Sequence, residues 1–245
     1  FQSQVGIDDA PEIFAADICK KSGYRSDEDL VLALAKESAK TIEWLAIEQQ
    51  VPLSLVDSFL YPGHTVKRMH GTPNRTGAEL MGSLCNAAER AGVDILTDAT
   101  VTSLVADPDG RVHGLRCTRP DGSTEDLACR ALILACCGFA SNQAMVRQFI
   151  PEIEKGEFFG HPGNQGDAVI WGQALGGTVA DMSGYQGHAG LAKGYGIPIL
   201  WPTIVEGGIQ VNQSGKRFSN EARGYSEQAV DVLNQDGAIA WTFFD

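Results

Sequence analysis

The chain holds 245 residues, room for one large domain or one and a half, and its 43% apolar and 20% charged residues are those of an ordinary globular enzyme. A net charge of −12 with no Lys/Arg cluster excludes a generic nucleic-acid binder. No apolar run approaches the ~18 residues of a membrane span; a cytoplasmic setting is expected, with a periplasmic one left open.

In chain order, residues 28–50 carry Leu30, Leu34, Ile42 and Leu45 at helical spacing, with Ala35 and Trp44 beside them. Ser26 and Asp29 have capping-box spacing ahead of that helix. Residues 52–75 are rich in turn formers and read as irregular. Thr76 and Glu79 form a second capping-box pattern, and the following helix runs through Leu80, Leu84 and Ala88 to a stop at Gly92.

Three strands are then expected: "VDILTD", "TVTSLVAD" and "RVHGLRCT", the last two joined by the turn Asp107-Pro108-Asp109-Gly110. A further hairpin turn stands at Asp121-Gly122. Ala131 to Ala135 form an unalternating apolar run, the signature of a strand buried on both faces, and Ser141 opens a helix behind it. Residues 93–97 and 130–136 are thus the expected inner strands. Beyond Gly160 come a glycine-rich loop, a helix from Asp167, a stop at Gly176-Gly177 and a strand. Residues 184–208 hold seven glycines and little periodicity. Long loops of this kind are usually functional or mobile. "GGIQVNQSGKRFSNE" reads as a hairpin tipped by Ser214-Gly215, a helix covers about 225–234, and "AWTFFD" reads as a strand still running. The cysteines Cys19, Cys85, Cys117, Cys129, Cys136 and Cys137 show no C-x-x-C spacing. Zinc and iron–sulfur sites therefore lack a ligand framework, and most of these thiols are expected to be buried.

Six stretches in order, "GIDDAPEIF", "TGAELMGSLCNAAERAGVDILTDATVTSLV", "ALILACCGFASN", "GDAVIWGQALGGTVADM", "QGHAGL" and "GGIQVNQSGKRFSNE", resemble the flavoprotein subunits of fumarate reductase and succinate dehydrogenase and their 3-ketosteroid 1-dehydrogenase relatives. The resemblance implies an α/β fold: a glutathione-reductase-type FAD-binding domain over residues 1–180 and part of an α+β capping domain over 181–245. It also implies FAD as cofactor. The turn Cys136-Cys137-Gly138 corresponds to the family's A-T-G-G-F strand end beside the flavin, with Cys137 standing where glycine is usual. Open α/β sheets carry ligands at such strand ends. The G-x-G-x-x-G that seats the FAD pyrophosphate on a helix N-terminus occurs nowhere in these residues. The chain therefore reads as a fragment that holds FAD weakly or not at all by itself.

The same resemblance implies site residues. Arg75, Thr76 and Gly77 match a loop near the flavin, Val101 a strand that meets adenine through backbone, and Gly166-Asp167 the family's G-D-G. His188 in "QGHAGL" takes the place of a substrate-binding His, with Ala-Gly where Pro-Thr is usual. "NEARGYSEQ" puts Tyr225 where fumarate reductases carry a catalytic Arg and ketosteroid dehydrogenases a Tyr. Arg223 lies two residues earlier and could bind a carboxylate bidentately. The T-E pair of the dicarboxylate reductases is replaced in "WPTIVEGG", which argues against a standard fumarate reductase. Each residue has a structural alternative: a backbone-bonded loop His, an aromatic packed on the hairpin, a solvated Arg, a helix-capping Asp, a strand end with two packed thiols. His64, Arg68 and His70 form a basic loop that either reaches the site or is solvated. The expected function is hydride transfer between flavin and a C–C bond beside a carboxylate or carbonyl, with a small-molecule substrate and a separate electron donor or acceptor. A cofactor-free binding module, or a flavin enzyme of another reaction, stays open because fold does not fix chemistry.

Overall fold

The computed structural model describes all 245 residues, Phe1–Asp245. In chain order the elements are α1 (Pro11–Lys21), α2 (Glu28–Glu43, continuing as a π-turn Trp44–Glu48), β1 (Ser54–Leu55), β2 (His70–Gly71), α3 (Gly77–Arg90), β3 (Thr100–Ala106), β4 (Val112–Thr118), β5 (Thr124–Ala128), α4 (Gln143–Phe149), α5 (Asp167–Ala174), β6 (Leu191–Ala192), β7 (Ile197–Pro198), α6 (Pro202–Val205), β8 (Ile209–Val211), α7 (Tyr225–Leu233) and β9 (Trp241–Phe243). They gather into two compact units. The first comprises residues 1–95, 199–228 and 241–245, and the second residues 96–198 and 229–240.

In the first unit α1 packs against α2. The cap of α2 is Asp27, whose carboxylate accepts from Leu30 N–H at 3.0 Å, one residue later than the Ser26 spacing suggests. The buried face is also rotated by one residue. Val31 and Ala35 are buried, whereas Leu30 and Leu34 stay 68% and 57% exposed. Periodicity gives the width of an apolar stripe, and the neighbouring helix decides which edge of it is covered. Thr76 caps α3 by accepting from Glu79 N–H at 3.3 Å. The Glu79 carboxylate reaches back to Asn74 N–H at 2.9 Å rather than to the cap's own N–H, so the box is not reciprocal.

Two ionic knots hold this unit. Arg68 donates through Nε and Nη2 to the two oxygens of Asp9, at 3.0 and 3.1 Å, and through Nη1 to Asp17. Thr65 donates to Asp17 from both its N–H and its hydroxyl at 2.9 Å. The second knot lies under the β8–β9 pair. Glu221, 2% exposed, accepts from Gln210 N–H at 2.8 Å and from Arg217. The buried Gln228 amide donates to Gln210 Oε1 at 2.9 Å and accepts from the Ser219 hydroxyl.

Burial raises the carboxyls of Asp9, Asp17 and Glu221, but their hydrogen bonds and the facing guanidinium outweigh it and leave all three below their ordinary values of 3.8, 3.8 and 4.5. A depressed carboxyl stabilises the fold above the unfolded-state pKa and loses that contribution as pH falls through the folded-state value. The urea midpoint is therefore expected to hold between about pH 7 and pH 5 and to drop below about pH 4. A midpoint unchanged down to pH 3 would contradict the role given to these carboxylates.

The second unit is built on the antiparallel meander β3–β4–β5. Its hairpins turn at the two predicted sites, with Gly110 N–H bonded to Asp107 O and Gly122 N–H to Arg119 O. Cross-strand pairs Arg116–Asp126 and Arg119–Glu125 lace its exposed face. Asn142 rather than Ser141 caps α4, accepting from Met145 N–H at 3.2 Å.

The expected inner strands do not form. Residues 93–97 and 130–136 enter no strand ladder, every paired strand is antiparallel, and residues 178–181 are unpaired too. Val93, Ile95 and Leu96 are about half exposed (54%, 47% and 51%) and Ile133 is 89% exposed. An apolar run says that a segment favours burial; a strand exists only where a neighbour supplies N–H and C=O groups. The cysteines differ from expectation as well. Only Cys117 is buried; Cys19, Cys85 and Cys129 are partly so, and Cys136 and Cys137 are exposed.

Candidate functional site

Within the second unit the turn after the 131–136 run is tied to the start of α5. Gly138 O accepts from Gly166 N–H at 3.0 Å, and Ser141 N–H donates to Asn164 O at 2.9 Å. Asn142 Nδ2 adds a bond to Gln165 O at 3.0 Å. Gly166 has φ 85°, and a Cβ on it would run into the Met145 thioether, so this contact requires glycine. Cys136, Cys137, Gly138, Gly166 and Asp167 are thus brought together. Cys137 takes a left-handed φ of 60°, the conformation that glycine would occupy without strain. A Cβ on Gly138 would meet nothing within 4 Å.

The exposed run from Ala131 to Gly138 ends in small side chains. Such a surface leaves room for a flat group to approach the backbone closely. The same unit holds Val101, paired with Cys117 across β3 and β4. It also holds His188, whose ring keeps solvent contact and accepts from Gly190 N–H at 3.2 Å. The protein mass around that imidazole disfavours its cation and lowers its pKa.

The first unit holds the other predicted residues. Arg75, Thr76 and Gly77 form the exposed entry to α3, with Arg75 at φ 53° and its N–H bonded to Thr72 O. The Thr76 hydroxyl already serves as a helix cap. Tyr225 opens α7, half-buried, with its ring edge-on to Trp201 at 6.1 Å between centroids. Arg223 is exposed, and its Nε lies 3.5 Å from Asn220 O.

Sequence reasoning left Tyr61 unmarked, and the structure brings it near Tyr225. Burial raises its phenol pKa first; the nearby Tyr225 raises it further and Arg75 pulls it back. Tyr225 and Arg75 each lie close enough to Tyr61 to act on its charge. The one signal in the sequence was an aromatic residue before Pro62-Gly63, too common to single out.

Arg68 is neither solvated nor available to a substrate. Asp9 and Asp17 occupy its guanidinium, which stacks 4.8 Å over Phe14. His64 lies 3.4 Å from Arg68 Nη1, and burial and that charge lower its pKa. His70 bonds Arg68 O through Nδ1, while burial lowers its pKa. That loop is a structural knot beside Tyr61. No group of three or more His, Cys, Asp or Glu is arranged to hold a metal ion, and no helix is long and apolar enough to cross a membrane.

The family model for the FAD binding domain matches residues 2–240. Among curated relatives, a cytochrome-type fumarate reductase of Shewanella frigidimarina is 27% identical over 98% of this chain and 42% of its own length. A urocanate reductase of Eggerthella lenta is 26% identical over 100% of this chain and 41% of its own. The chain thus spans about two fifths of the length of these two relatives. The open conformation of a flavocytochrome c3 fumarate reductase superposes with a TM-score of 0.83, at 26% identity, over 100% of this chain and 43% of that one. A 3-ketosteroid-Δ4-(5α)-dehydrogenase from Rhodococcus jostii gives a TM-score of 0.72 at 22% identity over 97% of this chain and 53% of that one, a likeness of fold.

Proposed function

Because the chain belongs to the FAD binding domain family, we propose that it serves an FAD-dependent oxidoreductase acting on a C–C bond next to a carboxylate or carbonyl. Bound FAD supplies the two-electron hydride chemistry. Cys136, Cys137 and Gly138, with Gly166 and Asp167, would lie against the ring, Val101 would meet the adenine through its backbone, and the Arg75–Gly77 loop would flank the flavin. In this proposal residues 1–180 serve cofactor binding and 181–245 the cap. A cytoplasmic or periplasmic setting and a separate electron donor or acceptor belong to the same reading.

The observation that carries it is the setting of Tyr225: at a helix start, half-buried, edge-on to Trp201 and within electrostatic reach of Tyr61. A phenol so held can give or take the proton at the carbon next to the one that exchanges hydride. His188 in the second unit and Arg223 in the first are each proposed to meet a substrate carboxylate; the relatives that the chain resembles include a fumarate reductase and a urocanate reductase. The second reading is a neutral ketone substrate, and Tyr61 beside Tyr225 favours it, since two phenols can share a carbonyl oxygen without a countercharge. The protein kept loaded by excess FAD, assayed with fumarate and a reduced viologen dye and separately with a 3-keto steroid and an acceptor dye, is expected to turn over one of the two. Turnover of neither would overturn both readings.

The cofactor carries its own prediction. These 245 residues offer a face for the ring but no G-x-G-x-x-G for the pyrophosphate. Fluorescence titration of FAD into the isolated 245-residue chain should show only weak binding. A Kd of about 1 μM or below, roughly −8 kcal/mol, would mean that the ring face alone suffices.

A further inference from the structure

We propose that Lys21 is a positioning residue for Tyr225, a proposal that rests on the proton-transfer reading of Tyr225 above. Lys21 is the last residue of α1. Its ammonium donates to the carbonyl oxygen of Arg223 at 2.9 Å and to Glu227 Oε1 at 2.6 Å. These acceptors bracket Tyr225, two residues before it and two after. Between them Gly224 has φ 118° and ψ 166°, a region that is essentially glycine's alone.

A Cβ on Gly224 would stand 2.9 Å from Lys21 Nζ and 3.0 Å from Glu227 Oε2, so the backbone is drawn against the ion pair. The first hydrogen bond of α7, from Gln228 N–H to Gly224 O at 3.1 Å, starts from the same residue. The aliphatic stem of Lys21 passes Gly63, where a Cβ would come within 3.3 Å of its Cδ. One side chain therefore touches both the turn that presents Tyr225 and the turn that follows Tyr61.

The pair keeps 40% and 35% of its side chains exposed, and such pairs contribute little to stability. What the ammonium fixes is geometry. With Arg223 O and Glu227 on one donor, the three residues between have a single path, and Tyr225 takes its place from that path. Misplacing a reacting group by about 1 Å can cost on the order of 10²-fold in rate. A lysine that touches neither the phenol nor the flavin face would then alter turnover through the backbone it holds.

The test uses the FAD-loaded protein with fluorotyrosine incorporated, the residue-225 resonance being assigned by its loss in Tyr225→Phe. Lys21→Met keeps the stem and removes the donor; Lys21→Arg restores a charged donor. The fluorine resonance of Tyr225 is expected to shift in Lys21→Met and to return in Lys21→Arg. With whichever of fumarate or the 3-keto steroid turns over, kcat is expected to fall roughly 10–100-fold in Lys21→Met, with flavin content unchanged, and to recover in Lys21→Arg; KM is expected to stay unchanged with the steroid, whereas with fumarate it rises as well, because the clamp also holds the backbone of Arg223. Glu227→Gln loosens the clamp from its other side and keeps the test decisive if Lys21→Met does not fold. An unmoved Tyr225 resonance in these variants overturns the proposal whatever the kinetics. Full turnover in Tyr225→Phe overturns the proton-transfer reading instead and leaves the resonance result standing.

Discussion

Tyr225→Phe is expected to lower turnover by roughly 10²–10⁴-fold, the usual contribution of a general acid or base, while flavin content stays unchanged. The substitution removes one hydroxyl and keeps the ring that meets Trp201 edge-on, so packing is preserved. Arg223→Ala supplies the contrast. A residue that holds a substrate carboxylate equally in ground and transition states mainly raises KM when removed. A large turnover loss at Tyr225 with little effect at Arg223 points to a neutral ketone; a marked KM increase at Arg223 points to a carboxylate. Full activity in both variants would contradict the site assigned to this chain. Steady-state kinetics on both variants, with flavin content read from the visible bands, makes the measurement.

Arg68→Leu is expected to destabilise the protein by about 3–5 kcal/mol, the cost of removing one partner from a buried ion cluster. Its guanidinium is 6% exposed, and the carboxylates of Asp9 and Asp17 are 11% and 8% exposed. Without Arg68 two carboxylates stay buried side by side, with Thr65, Gln2 and the Ala10 N–H as the remaining donors. The first unit is expected to open around α1 and the loop that carries Tyr61. Urea unfolding measures the loss. The triple change Asp9→Asn, Asp17→Asn, Arg68→Leu should recover part of it, because no uncompensated charge remains. A loss below about 1 kcal/mol, the range of a surface pair, would contradict the burial of this cluster.

Elements whose signals act within a few residues were legible in the sequence. Thr76 caps α3 and Gly92 follows its end, Asp107–Gly110 and Asp121-Gly122 turn the meander, and Ser214-Gly215 tips the turn between Asn212 and Lys216. Turn and cap chemistry is local, so it can be read locally. What failed depends on distant partners. The apolar run 131–135 reads as an inner strand, yet no segment of the chain pairs with it. In α2 the spacing marked Leu30 and Leu34, while the packing of α1 buries Val31 and Ala35 instead. Arg68 could not be separated from a solvated charge, because its partners Asp9 and Asp17 lie 59 and 51 residues away. At the site, the ordered series of motifs carried the family and its cofactor. Tyr61 escaped notice because its neighbour Tyr225 is far along the chain.

Anaerobic stopped-flow of the FAD-loaded protein tests the central claim most directly. Reduced protein is mixed with fumarate and, separately, with an unsaturated 3-keto steroid, and the flavin bands are followed in wild type and in Tyr225→Phe. The account predicts fast return of the oxidised bands with one of the two compounds, and a return slower by roughly 10²-fold or more in Tyr225→Phe. No return with either compound, or an equal rate in the variant, would contradict it.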